Sequence, residues 1–253
     1  MIKEENEHKM IEKTLDIVMN GKKITKLFLD YDGTLVPLVS SPELAKADDY
    51  LITLLDRLKK IFPLYIITGR DLNDLLGLLG GGYNVIAMHG AEFVDENGSI
   101  KNIENFDYYV KKSSMIAQKY SFLSEKFPGV RVYDKRGGVQ FHYFNIRRDL
   151  IESFQEYMKK LNEEDFELYS GKYVFEFRIK GVNKGKAILE RIDKDDYILF
   201  AGDDNTDEEA FALLNDHITI KVGDGVTKAK YRLTSYIEFR DLLKLIADKY
   251  GGK

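Results

Sequence analysis

Short apolar runs alternate with amphipathic stretches along the first 90 residues of the chain. The runs Leu27 to Leu29, LYIIT (64–68) and NVIAM (84–88) are bounded by polar residues or glycine, which is typical of buried strands. Leucines at helical spacing predict a helix over 48–60, and a second helix is predicted over 71–79. This strand–helix–strand alternation predicts a parallel sheet with helices on both faces.

The alternation is interrupted in the middle of the chain. Residues 91–101 predict a hairpin with Asn97-Gly98 as its turn, and 102–181 show a helix–hairpin–helix–hairpin pattern. After Gly181 the strand–helix alternation resumes. The predicted elements of these regions are helix 106–126, strands 130–134 and 139–145, helix 149–161, a hairpin around Gly171, helix 184–192, strand 197–202, helix 207–214, strand 217–222 and helix 237–248.

The fold class that follows from this pattern is α/β. We expect a Rossmann-like parallel-sheet core formed by residues 1–101 and 182–253, with a smaller α+β domain inserted at 102–181. An additional helix is predicted over 2–20, where apolar residues share one helical face. The length of 253 residues, about 1.7 times a typical domain of roughly 150, agrees with one domain and an insert.

Composition excludes several classes of protein. The chain has 42 acidic and 38 basic residues, a formal net charge of −4, which argues against a nucleic-acid partner. It has no cysteine, which excludes disulfide scaffolds, zinc–thiolate sites and cysteine nucleophiles. No apolar run approaches the roughly 18 residues of a membrane span, and the first residues do not form a signal peptide. We therefore expect a cytoplasmic protein without a membrane partner.

The first strand is followed by Asp30-Tyr31-Asp32-Gly33-Thr34. In open α/β sheets ligands bind beyond the carboxyl ends of the strands, where two carboxylates one residue apart can both reach the crevice. One could act as a nucleophile and the other as a general acid and base. Asp and Gly are also favoured turn residues, so a polar strand-to-loop connection is the alternative.

A second acidic cluster, Gly202-Asp203-Asp204-Asn205-Thr206-Asp207, follows a later apolar run and opens a helix. Acidic residues are favourable at a helix N-terminus, but three within five positions exceed what capping requires. If both clusters converge, each close pair of carboxylates repels by up to about 4 kcal/mol at an effective dielectric constant of 20. A divalent cation relieves this repulsion, and a set of oxygen ligands suits Mg²⁺.

Two further motifs could hold an anionic oxygen. Thr68-Gly69-Arg70 follows the second predicted strand and offers a hydroxyl and backbone amides. Lys184 opens a predicted helix and could neutralise carboxylates and a phosphoryl group. Taken singly, each of these residues fits an ordinary solvated surface position.

The order and spacing of these four motifs resemble the haloacid-dehalogenase-like phosphohydrolases over roughly residues 24–240. The resemblance implies that Asp30 is the nucleophile that forms an aspartyl-phosphate and that Asp32 is the general acid and base. It implies that Thr68 and Lys184 bind the phosphoryl group. The implied Mg²⁺ ligands are Asp30, the carbonyl of Asp32 and Asp203, supported by Asp204 and Asp207.

The inserted domain lies where this superfamily carries a type-II cap, and its polar residues resemble the trehalose-6-phosphate phosphatases. The resemblance rests on His89-Gly90-Ala91-Glu92, Lys135-Arg136, His142-Tyr143 and Glu176-Phe177-Arg178, the last shortly before Lys184. Phe144 stands where the family often has arginine, and Arg147 and Arg148 lie beyond it. The implied substrate-binding residues are Tyr31, Gly69, Arg70, His89, Glu92, Lys135, Arg136, His142, Glu176 and Arg178.

The function implied by this resemblance is Mg²⁺-dependent hydrolysis of trehalose 6-phosphate to trehalose and phosphate. Other capped sugar phosphatases remain alternatives, acting on sucrose phosphate, mannosyl-3-phosphoglycerate or a hexose phosphate. A phosphomutase and a non-catalytic sugar-phosphate sensor are more distant alternatives. The expected partner is a small sugar phosphate, the oligomeric state is open with a monomer as one option, and hinges are expected near 101–105 and 179–183.

Overall fold

The computed structural model describes residues 22–39, 41–171 and 173–251, so the helix predicted over 2–20 lies outside the described residues. The strands are β1 (Leu27–Asp30), β2 (Leu64–Ile67), β3 (Asn84–Ala87), β4 (Glu92–Val94), β5 (Ile100–Asn102), β6 (Arg131–Lys135), β7 (Gly138–His142), β8 (Phe166–Gly171), β9 (Val174–Ile179), β10 (Leu199–Gly202), β11 (Ile218–Val222) and β12 (Tyr231–Leu233). The α-helices are α1 (Asp49–Leu58), α2 (Leu72–Leu79), α3 (Phe106–Lys119), α4 (Leu123–Lys126), α5 (Ile151–Met158), α6 (Lys184–Leu189), α7 (Asn205–Leu213) and α8 (Tyr236–Tyr250).

Eight strands form a large sheet in the order β12-β11-β10-β1-β2-β3-β4-β5. The pairs from β12 to β3 are parallel, whereas β4 and β5 are antiparallel additions at one edge. Because β1 lies between β10 and β2, the carboxyl ends of these three strands are adjacent. Both the predicted α/β class and the predicted hairpin at 91–101 are confirmed.

Helices cover both faces of the large sheet, and alternation along β1 shows why. Leu27 and Leu29 belong to the core cluster that packs against α1, α2 and α8. Phe28, between them, points to the opposite face and belongs to the cluster formed with α6 and α7. A strand buried on both faces must be apolar at every position, which explains the uninterrupted run LFL.

Four antiparallel strands form a small sheet in the order β6-β7-β9-β8. One face packs its aromatic side chains, including Phe141 and Phe177, against α3, α4 and α5. Side chains at alternating positions, such as Gln140 and Glu176, point to the other face, which carries no described helix. This helix-free face is the one that contacts the large-sheet unit, as the side-chain contacts below show.

The structure corrects several predicted elements. The helix predicted over 106–126 is divided, because the chain turns after Lys119: the Tyr120 ring is buried and the Ser121 hydroxyl donates to the Gln118 carbonyl at 2.8 Å. The helix predicted over 149–161 begins as a 3-10 turn at Arg148–Leu150. β12 was not predicted, because three residues at a sheet edge form no apolar run. None of the described helices is long and apolar enough to cross a membrane.

Candidate active site

The predicted catalytic residues converge at the carboxyl edge of the large sheet. Asp30 is the last residue of β1, Thr68 follows β2 and Asp203 follows β10. Lys184 is the first residue of α6, whose N-cap is Asn183. The parallel register places these strand ends side by side, so four motifs that are far apart in the chain meet in one crevice.

Lys184 forms the centre of this crevice. Its Nζ donates to Asp30 Oδ1 at 2.6 Å and to Asp207 Oδ1 at 2.7 Å, and all three side chains are buried. Burial alone lowers the pKa of Lys184, but the two carboxylates outweigh it and raise the pKa above its ordinary value. The other Asp30 oxygen accepts a hydrogen bond from Thr34 Oγ1 at 2.9 Å.

Asp30, Asp203 and Asp207 offer carboxylate oxygens that all lie within 4.8 Å of one another. Burial raises the pKa of Asp30 to about 7 against the effect of Lys184, and the charge of Asp207 adds to the rise. Burial and the neighbouring carboxylates also raise the pKa of Asp203 well above its ordinary value. The cluster could hold a divalent cation, which would favour the ionised carboxylates.

Two glycines allow the acidic residues to approach this closely. Gly33 has φ +78°, and a Cβ there would lie 2.1 Å from Asp203 Oδ2. A Cβ at Gly202 would lie 2.2 Å from Asp207 Cγ. The glycines in both predicted motifs therefore serve a close contact as well as a turn.

The alternative interpretation of the second motif, helix capping, accounts for two of its acids. Asp204 is the N-cap of α7, and Asp207 Oδ2 accepts from the backbone N of Asp203 and of Asp204 at 3.0 Å each, which completes a capping box. The Asp203 side chain takes no part in this box. Asp207 thus ties the helix cap to Lys184 and to the acidic cluster.

The Asp32 side chain is not one of the three carboxylates of the acidic cluster. Its carboxylate is held by Arg70 through two hydrogen bonds, from Nε at 2.7 Å and from Nη2 at 2.8 Å. Arg70 also donates to Asp74 at 2.5 Å and to the Pro42 carbonyl at 3.0 Å. The side chain of Arg70 is therefore fully engaged with the protein, whereas the prediction placed it against substrate.

The Thr68 loop contacts a buried histidine. Thr68 is itself buried, and its carbonyl accepts a hydrogen bond from the His89 backbone at 3.0 Å. Gly69 packs so closely against the His89 ring that a Cβ would lie 2.6 Å from Cε1. Burial lowers the pKa of His89 to about 3, so the ring is neutral, and neither ring nitrogen has a hydrogen-bond partner among the described residues.

Glu176 on β9 organises the helix-free face of the small sheet. It accepts from Lys135 Nζ at 2.5 Å and from Gln140 Nε2 at 3.2 Å, and its Oε1 lies 3.5 Å from His89 Nε2. Burial raises the pKa of Glu176, but the Lys135 ammonium outweighs that effect and lowers the pKa below the ordinary range. His142 Nε2 lies 3.1 Å from Gln140 Oε1 and extends this polar chain.

Two arginines span the two sheets. Arg178 on β9 lies over the Tyr169 ring and donates to Glu209 of α7 at 3.2 Å, while its Nε and Nη1 have no partner among the described residues. Arg136 donates to the buried Glu92 of β4 at 3.0 Å. The predicted substrate-binding residues Glu92, Arg136 and Arg178 are thus brought to the boundary between the sheets, where protein groups already engage them.

Tyr31 corrects the sequence prediction. It was predicted to bind substrate, but its side chain is fully buried in the core and its hydroxyl donates to the Ala45 carbonyl at 2.7 Å. Asp30 and Asp32 point to one side of the extended chain, so the residue between them points to the other. Arg147 is exposed and paired with Asp149, and the Phe144 ring is 60% exposed beside Tyr173.

Several residues of the site were not predicted. Lys221 in β11 is buried and donates to the Asp203 carbonyl, and a lysine within the apolar run ITIKV is a signal that could have identified it. Gln140 shares a strand face with His142 and was visible in the alternation VQFHYF. Glu209, the partner of Arg178, lies on an unremarkable helical surface and gave no signal.

A family model described as trehalose-phosphatase matches residues 28–237. The chain belongs to the trehalose-phosphatase family. This confirms the resemblance stated from the motifs, and the matched residues include the first and last acidic clusters of the crevice.

Relatives and solved structures agree with membership of the trehalose-phosphatase family. A trehalose-6-phosphate phosphatase-related protein of Thermoplasma acidophilum is 38% identical over 227 residues, covering 87% of this chain and 96% of the relative. Several other curated relatives are longer, and the chain spans about a third of their length.

Among solved structures, the C-terminal domain of C. albicans trehalose-6-phosphate phosphatase is 28% identical, with a TM-score of 0.79 over 92% of this chain and 96% of that one. A haloacid dehalogenase-like hydrolase from B. subtilis is 14% identical, with a TM-score of 0.63 over 87% of this chain and 99% of that one. The second likeness shows that this chain and that hydrolase share a fold.

Proposed function

We propose that this protein is a phosphatase that hydrolyses trehalose 6-phosphate to trehalose and phosphate. The observation that carries the proposal is the buried Asp30 carboxylate at the carboxyl edge of the large sheet. It is paired with Lys184 and belongs to the acidic cluster with Asp203 and Asp207. The chain that carries it belongs to the trehalose-phosphatase family. A carboxylate paired with a buried cation, next to a site for a second cation, suits attack on a dianionic phosphoryl group.

We propose Mg²⁺ as the cation of the acidic cluster. The donor set fits, because the clustered side chains provide only oxygen atoms, and glycine at position 33 leaves room for the approach of Asp203. Asp30, Asp203 and the Asp32 carbonyl would hold the ion, while Asp207 is already engaged by Lys184 and two backbone amides. The bound cation would neutralise charge on the phosphoryl oxygens.

In the first step, an oxygen of the Asp30 carboxylate attacks phosphorus and the bond from phosphorus to the sugar oxygen breaks. Asp32 in its acid form gives its proton to that leaving oxygen, so the sugar departs as a neutral alcohol. Lys184 and Thr68 stabilise the phosphoryl oxygens during this transfer. To act here, Asp32 must turn from Arg70, because both of its oxygens accept from that guanidinium.

In the second step, water attacks phosphorus of the aspartyl-phosphate. Asp32, now a carboxylate, takes one proton of the water, and the bond between phosphorus and Asp30 breaks to release phosphate. The carboxylate of Asp30 then returns to Lys184. Splitting the hydrolysis into two displacements accounts for the presence of two carboxylates at positions 30 and 32.

We further propose that residues 102–181 act as a cap that selects the sugar. The helix-free face of the small sheet directs Lys135, Gln140 and Glu176 toward the large-sheet unit, and Glu176 lies 3.5 Å from His89 beside the Thr68 loop. A buried carboxylate, ammonium and amide provide the donors and acceptors that sugar hydroxyls need. Hinge segments near 101–105 and 179–183 would let this face open and close.

The test is phosphate release from a panel of trehalose 6-phosphate, sucrose 6-phosphate, glucose 6-phosphate and mannosyl-3-phosphoglycerate. We expect kcat/KM for trehalose 6-phosphate to exceed the others at least 10-fold. EDTA should abolish release and Mg²⁺ should restore it. Equal rates across the panel would contradict the substrate, and activity that persists in EDTA would contradict the metal.

The nucleophile is tested by Asp30→Asn, for which we expect a loss of at least about 1000-fold in kcat, because the amide cannot form the acyl-phosphate. The matched control is Asp149→Asn, which changes an exposed carboxylate of the small-sheet unit and should retain wild-type turnover. Substantial turnover by Asp30→Asn would refute the assignment of the nucleophile.

A further inference from the structure

The helix-free face of the small sheet carries a row of side chains from three adjacent strands. Tyr133 of β6 is paired with Gln140 of β7, and Gln140 is paired with Glu176 of β9. Directly paired residues point to the same face, so these three side chains share the face turned toward the crevice. Glu176 lies 3.5 Å from His89, whose ring packs on Gly69, and it is paired on its other side with Tyr169 of β8.

Tyr133 is at the outer end of this row. It lies two strands from Glu176, which at a spacing of about 4.8 Å per strand is roughly 10 Å. The residue is 41% exposed, and its ring meets the His142 ring edge to face with centroids 5.1 Å apart. The polar chain from Lys135 through Glu176, Gln140 and His142 therefore ends at an accessible aromatic surface.

The strand face that carries Tyr133 is turned toward the large-sheet unit. Arg131, two residues before Tyr133 on the same strand face, interacts electrostatically with Glu43 in the 3-10 turn Pro42–Leu44. The Pro42 carbonyl in that turn accepts a hydrogen bond from Arg70 at 3.0 Å. Tyr133 thus lies on the strand face that is turned toward the Pro42–Leu44 turn, which is joined by Arg70 to the loop after β2.

We propose that Tyr133 determines specificity for disaccharide phosphates by stacking on the sugar ring more distant from the phosphate. This inference rests on the proposed function and names the residue that contacts the second sugar ring. A pyranose ring has apolar C–H faces and a polar rim, so a rigid aromatic surface suits its face and the polar chain suits its hydroxyls.

The separation between Glu176 and Tyr133 along the row makes the effect selective. A phosphoryl group held by Lys184 and Thr68 brings the first sugar ring to Glu176 and Lys135. A monosaccharide phosphate ends there, whereas the second ring of a disaccharide phosphate extends along the row to Tyr133. Loss of the aromatic ring should therefore weaken the binding of disaccharides and leave the binding of monosaccharides unchanged.

The test compares wild type with Tyr133→Ala and Tyr133→Phe. Calorimetric titration with trehalose and with glucose measures binding, and kcat/KM is measured for trehalose 6-phosphate and glucose 6-phosphate. For Tyr133→Ala we expect a loss of about 10-fold with the disaccharides and less than 2-fold with the monosaccharides. Tyr133→Phe retains the ring and should stay within 3-fold of wild type. Phe122→Ala is the matched control, because Phe122 is 42% exposed but adjoins α4 on the other face of the sheet.

The outcomes separate the two proposals. If wild type binds trehalose more tightly than glucose and Tyr133→Ala removes that preference, the role of Tyr133 stands even if trehalose 6-phosphate is not hydrolysed. Three results would overturn the role of Tyr133. Tyr133→Ala could bind trehalose as tightly as wild type does, or it could lose affinity for trehalose and glucose equally. Wild type could also show no preference for trehalose over glucose. A failure to hydrolyse trehalose 6-phosphate overturns only the proposed function.

Discussion

Tyr31 lies between the two predicted catalytic aspartates, and the substitution Tyr31→Phe separates a core role from a substrate-binding role. The substitution removes only the hydroxyl, which donates to the Ala45 carbonyl at 2.7 Å. Ala45 is 1% exposed, so water cannot replace the lost donor. A buried acceptor left without its partner costs about 1–3 kcal/mol, and we take 2 kcal/mol as the central value.

For a chain of this size, each 1 kcal/mol lowers the melting temperature by about 2–4 °C. We therefore expect Tyr31→Phe to melt about 4–8 °C below wild type when unfolding is followed by circular dichroism. The kinetic constants for trehalose 6-phosphate should remain within 2-fold of wild type, because the ring still fills the core. Tyr50→Phe is the control: Tyr50 is exposed, and its change should stay within about 0.5 kcal/mol.

The opposite pattern would refute this reasoning. If the Tyr31 hydroxyl contacted substrate, Tyr31→Phe would raise KM several-fold and leave the melting temperature unchanged. That result would require the side chain to leave the core, and it would restore the role that the sequence first suggested.

Two further predictions concern the acidic cluster. Gly33→Ala should raise the Mg²⁺ concentration for half-maximal activity at least 10-fold, because its Cβ would lie 2.1 Å from Asp203 Oδ2. Gly80→Ala is the control, because it also replaces a glycine with positive φ but its Cβ would meet open space. This control variant should require the same Mg²⁺ concentration as wild type. The second prediction follows from the pKa of Asp30, which is raised to about 7 in the folded protein and lies near 4 in the unfolded chain. The metal-free protein should lose stability as pH rises from 4 to 7, and the gain in melting temperature on adding Mg²⁺ should be larger at pH 8 than at pH 5; an equal gain at both would contradict it.

The architecture was predictable wherever a strand is buried on both faces or a helix is clearly amphipathic. The LFL run of β1 and the leucines of α1 belong to this class, and both elements lie where the pattern placed them. The division between α3 and α4 was not predictable, because it depends on burial of the Tyr120 ring against residues of distant strands. Tertiary packing outweighs local periodicity at that turn.

The candidate site was predictable in its membership more than in its contacts. Motifs that follow parallel strands must meet at one edge, so the meeting of Asp30, Thr68 and Asp203 follows from topology. The hydrogen-bond partner of each side chain does not follow from topology. Nothing in the sequence indicated that Arg70 would donate two hydrogen bonds to Asp32. Such contacts depend on side-chain reach across loops whose lengths and turns are set elsewhere in the fold.

The position of β1 between β2 and β10 has a consequence for the order in which the molecule folds. The hairpins of the small sheet join segments that are close in the chain, whereas Lys184 and Asp30 are 154 positions apart. Contacts of such large separation pay a higher loop-closure entropy and form late. The acidic crevice is therefore completed only when β10 docks beside β1, so acquisition of the metal site would report the final assembly step rather than the formation of either sheet alone.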